Sequence, residues 1–213
     1  RVVVGELQHE FQQRWGPHGF LQRFGAEKVQ MIDCNDGKNV HWLTLAHFFA
    51  GYLEPWTRAL CPDTFRRMML KLKDWPYDQN FRPKMPEHYD DLMRALPLAQ
   101  YTDGEGVLNL ACYCPRDGVP PDLGPKMYNG YGRHAKWQGM SHATNKSGHT
   151  ALHCDVSDAV NVLVDLNEGD GDDSEDDAPH EALDDEELGS LTSQRGAVWD
   201  IWRWEDSDAI LQL

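Results

Sequence analysis

The sequence predicts an α+β chain in which helices come first and short strands later, the strands folding into a barrel or jelly roll. Three observations predict it. Apolar residues at helical spacing gather near the N-terminus, as in Leu7, Phe11, Trp15 and then Phe20, Leu21, Phe24. Short β-prone runs bounded by Gly, Pro and Asn-Asp-Gly signals dominate later. A length of 213 residues with eight Trp, seven Tyr and seven Phe suits one domain with a real core.

The elements follow in order. Residues 6–24 read as helical, broken near Gly16-Pro17. Val29 to Cys34 reads as a strand ended by the turn signal Asn35-Asp36-Gly37. Thr44 can cap a short helix through Tyr52. Residues 68–73 alternate as a strand that Trp75-Pro76 stops, and Pro86 opens a helix to Leu96. Strands are expected at 107–111, 126–132, 150–156, 160–166 and 196–202, with a polar loop at 133–147 and a last helix from Glu205. No internal repeat is found.

The formal charge of −15 is local: residues 165–187 hold 13 acidic side chains and no Lys or Arg. The remaining 35 − 13 = 22 acidic residues face 20 basic ones, so the body is nearly neutral. The acidic stretch, low in hydrophobicity, reads as a solvated, disordered insertion. A second reading is attraction of a Lys- and Arg-rich partner. Five scattered Cys suit a reducing compartment, and Cys112-x-Cys114 lacks the spacing of a zinc knuckle. No apolar run approaches the roughly 20 residues that span a membrane. The chain starts with Arg1-Val2-Val3, without an initiator Met or signal peptide, and is expected to be a region of something longer.

His153 and Asp155 are the most informative pair. On a strand, residues two apart share a face, so an imidazole and a carboxylate would converge. That is two thirds of the 2-His-1-carboxylate set that holds non-haem Fe(II). The plain alternative is a surface His beside a turn-forming Asp.

Several blocks carry a family resemblance. They are Leu70-Lys71-Leu72-Lys73-Asp74-Trp75-Pro76, Asp90-Asp91-Leu92-Met93, Leu108-Asn109-Leu110-Ala111, Pro121-Asp122-Leu123-Gly124-Pro125-Lys126-Met127-Tyr128-Asn129-x-Tyr131-Gly132, Leu152-His153-x-Asp155-Val156-Ser157-Asp158-Ala159-Val160-Asn161-Val162 and Gly196-Ala197-Val198-Trp199. Their order and spacing resemble the JmjC (Jumonji C) oxygenases, most of all the histone H3 lysine-9 demethylases that include the Hairless-type co-regulators. The resemblance implies a double-stranded β-helix, a cupin-like jelly roll with N-terminal helices, its barrel incomplete at the C-terminus. Residues 1–213 would be a partial JmjC domain: a helical or mixed region over 1–100, barrel strands over 101–166 and 196–204, and the acidic insertion over 167–189.

The resemblance also implies Fe(II)- and 2-oxoglutarate-dependent oxidative demethylation of methyl-lysine on a histone tail, in the nucleus, with chromatin and transcription co-regulators as partners. Neither a membrane nor direct nucleic-acid contact is expected. His153 and Asp155 would be catalytic metal ligands. Thr150, Asn161, Tyr128 and Tyr131 would contact the cosubstrate, and Asn129 shares the strand of the two tyrosines.

Two departures stand out. The third ligand should be a His on a strand well after residues 196–202, yet the only His after Asp155 is His180, in the acidic stretch and outside any matching context. The basic residue expected to hold the far carboxylate of 2-oxoglutarate is missing, since that place reads Asn167-Glu168-Gly169-Asp170-Gly171. Three readings compete: a demethylase in its longer form, with these residues inactive by themselves; a catalytically inactive JmjC-derived scaffold or co-regulator; and a protein hydroxylase on the same fold.

Overall fold

A computed structural model describes residues 7, 10–35, 40–77, 81–115, 117–118, 123–132, 150, 152–155, 158–167, 199 and 201–212. They fall in two compact units, residues 1–169 and 170–213. In the first, helices and one antiparallel sheet share a core.

The sheet is built from β1 (Lys28–Asp33), β2 (Val40–Thr44), β3 (Leu70–Trp75) and β4 (Met127–Gly130), in the order β2-β1-β3-β4. Every pairing is antiparallel, with Met31 opposite His41 and Leu72 opposite Asn129. Such a sheet can bury one face and wet the other. Val29, Met31 and Asp33 on β1 and Leu70 and Leu72 on β3 point into the core. Val40, Trp42 and Tyr128 are exposed. A register shift separates Leu72 from Trp75, where Asp74 takes the left-handed backbone conformation at φ 57°. The Tyr128 hydroxyl donates to Asp74 Oδ1 at 2.8 Å and holds this bulge.

Helix α1 (Pro17–Phe24) starts on a proline, which needs no N–H partner in the first turn. Helix α2 (Leu45–Leu53) is capped by Thr44, whose hydroxyl accepts the His47 N–H. Phe20 of α1 stacks on Phe49 of α2, ring centres 6.0 Å apart. α3 (Phe81–Lys84), α4 (Pro86–Ala95) and α5 (Ala99–Thr102) follow β3. Met31, Leu45, Phe48, Leu70, Trp75 and Met85 are at 0% exposure. Fully burying an apolar side chain of this size contributes about 1.5–3 kcal/mol, so this layer is the main driving force of the unit.

Strands β1, β3 and β4 and helices α1, α2 and α4 fall where the sequence places them. The departures each have a cause. Residues 10–16 are not helical, although Trp15 still enters the core. The Asp91 carboxylate on α4 accepts the Gln12 and Gln13 N–H groups and the Trp15 indole N–H, all at 2.9 Å, so donors that a helix would use are satisfied by a side chain. β2 is a strand that the sequence reading lacks; it pairs along β1 through five consecutive residues. Instead of a strand at 107–111 there is a short 3-10 turn at Leu110–Tyr113, capped by Asn109.

The expected strands at 150–156 and 160–166 are irregular at every described position. No sheet edge pairs with them there, and β propensity without a partner does not make a strand. The sheet is small and open; among the described residues its four strands do not close a barrel. Open antiparallel strands beside N-terminal helices are consistent with an incomplete barrel-like fold. The turn at 36–37, the loop at 133–147 and most of the acidic stretch lie outside the described residues.

In the second unit, Trp199, Ile201 and Trp202 are exposed and not in a strand. A 3-10 turn at Trp204–Asp206 leads into the short helix α6 (Ser207–Ile210), which is the part of the expected C-terminal helix seen among the described residues.

Candidate functional site

His153 and Asp155 do meet. The imidazole Nε2 lies 3.5 Å from Asp155 Oδ1. Their side chains are 54% and 58% exposed. Two donors that share one ion at ordinary nitrogen and oxygen bond lengths, at right angles, sit about 3 Å apart. The pair could therefore supply two adjacent positions of a metal shell. It does so on the surface, on irregular backbone, and not on a strand facing inward.

Fe(II) of the facial-triad kind needs a third protein donor and a shielded pocket. Among the described residues no group of three His, Cys, Asp or Glu could hold a metal ion. A cleft of about 510 Å³ lies elsewhere, between the start of α1 and the end of α2, and neither His153 nor Asp155 lines it. The described residues thus match two donors of the set and do not fit a resident Fe(II) as a whole. His180 lies outside the described residues.

The remaining candidates scatter. Thr150 and Asn161 are exposed. Tyr128 is 60% exposed and engaged with Asp74. Tyr131 is buried at 1% exposure, and its hydroxyl donates to the Phe48 carbonyl at 2.9 Å. Its ring stacks on Phe48 with centres 4.9 Å apart, and the buried Arg58 guanidinium lies 4.5 Å from its centre. Burial pushes the Tyr131 hydroxyl well above the usual tyrosine value, while the Arg58 charge pulls the other way. Tyr131 is thus built into the core. Asn129 keeps a buried amide nitrogen without a hydrogen-bond partner among the described residues, on the core side of β4.

The chain that carries the pair is tied down farther along, by residues the sequence reading did not single out. The Tyr52 hydroxyl donates to Asp165 Oδ2 at 2.9 Å and accepts the Asn167 N–H at 2.9 Å. The Asn167 side-chain amide donates to the Tyr52 carbonyl. Burial first, and then the Asp165 charge and hydrogen bond, push the Tyr52 hydroxyl up to about 12. No local pattern marks this contact, because Asp165 reads as one more acidic residue and Tyr52 as a helix end.

No family profile matches the chain. Individual relatives do. "Lysine-specific demethylase 3A" of Rattus norvegicus is 35% identical across the whole chain. "Lysine-specific demethylase 3" of Drosophila melanogaster is 42% identical over 70% of the chain, and "Lysine-specific demethylase JMJ27" of Arabidopsis thaliana is 43% identical over 64% of it. The chain spans 18%, 16% and 15% of the lengths of these three relatives. This 213-residue chain is a JmjC-type segment, homologous along its length to part of the lysine-specific demethylase 3A family.

Proposed function

We propose that this segment acts in chromatin and transcription regulation as a JmjC-derived binding scaffold or co-regulator, and that these 213 residues do not turn over by themselves. One observation carries the reading: His153 and Asp155, which meet at 3.5 Å, are half exposed, and among the described residues no group of three metal donors is formed. Homology to the demethylases supports a methyl-lysine histone tail as the peptide partner and the nucleus as the place.

A second reading is favoured by the same pair. In a longer protein His153 and Asp155 are two of three Fe(II) ligands, with Thr150 and Asn161 near 2-oxoglutarate, and the reaction is oxidative demethylation of methyl-lysine, at histone H3 lysine-9. Their 3.5 Å approach supports this reading. When bound, that cofactor pair supplies the oxidising chemistry, and the protein only orients and encloses it. A protein hydroxylase would share every one of these residues.

Both readings meet one experiment. The chain is titrated with Fe(II) and 2-oxoglutarate and incubated with a methylated histone H3 peptide. The scaffold reading expects peptide binding, weak iron binding and no formaldehyde. Submicromolar iron binding with succinate release overturns it. In a longer protein that does release formaldehyde, His153→Ala is expected to abolish the release; retained turnover removes His153 from the site.

A further inference from the structure

We draw no further inference here: the strongest candidate, the open face of the four-stranded sheet on which Trp42 and Tyr128 stand with Lys28, Lys71 and Lys73, carries nothing because Tyr128 belongs to the site already described and nothing in the structure shows what covers the rest of that face.

Discussion

Asp91 shows how much one side chain organises here. It is 1% exposed and accepts three N–H donors from the chain before α1, with Arg94 as its charge partner. Burial pushes its carboxyl upward, but the Gln12, Trp15 and Gln13 donors and the Arg94 charge outweigh that and hold it below the usual value. The folded form then binds the proton more weakly than the unfolded chain does. The stability from Asp91 is complete above the unfolded value of about 3.9 and is lost as pH falls through the folded one. Asp91→Asn is expected to cost about 3 kcal/mol at neutral pH and to flatten the acid limb, as read by urea denaturation across pH. Gly51 is a second sensitive point. A Cβ there would lie 2.5 Å from the Tyr131 hydroxyl and 3.0 Å from Arg58 Cγ. Gly51→Ala is expected to cost about 1–3 kcal/mol, because the rigid ring must move off the Phe48 carbonyl.

At the scale of elements, legibility follows the range of the interactions. α2 was readable because its cap and its apolar run are both local: Thr44 bonds His47 three residues on. α4 was readable from Pro86 for the same reason. The stretch 10–16 was not, because what decides it is a carboxylate 78 or 79 residues away. β2 escaped notice because its pattern is weak and it lies at the sheet edge. Exposed Val40 and Trp42 alternate with His41 and Leu43, and β1 supplies the pairing. The His-x-Asp spacing puts the two side chains 3.5 Å apart, but among the described residues no strand pairs with the run that carries them. Side-chain convergence needs only local geometry, whereas strand identity needs a partner.

For the molecule as a whole, charge and core are separable. Residues 168–187 carry 12 acidic residues, so removing them takes the formal charge from −15 to −3. The apolar core of the first unit lies outside that span. Deleting 168–187 is expected to leave the denaturation free energy of the first unit within about 0.5 kcal/mol, while greatly weakening the salt dependence of any association with a Lys-rich peptide. A loss of more than about 2 kcal/mol would mean that the acidic span contributes to the core.

The sequence by itself determined the class of the chain, the strands and helices whose signals are local, the confinement of the charge, the family resemblance and the pairing of His153 with Asp155. Tertiary structure alone decided that Tyr131 is buried against Phe48 and Arg58, that Asp91 replaces a helix turn, and that Tyr52 holds Asp165 and Asn167. Each of these depends on which distant group arrives to accept or donate a hydrogen bond. That is set by packing of the whole unit, and no window of neighbouring residues encodes it.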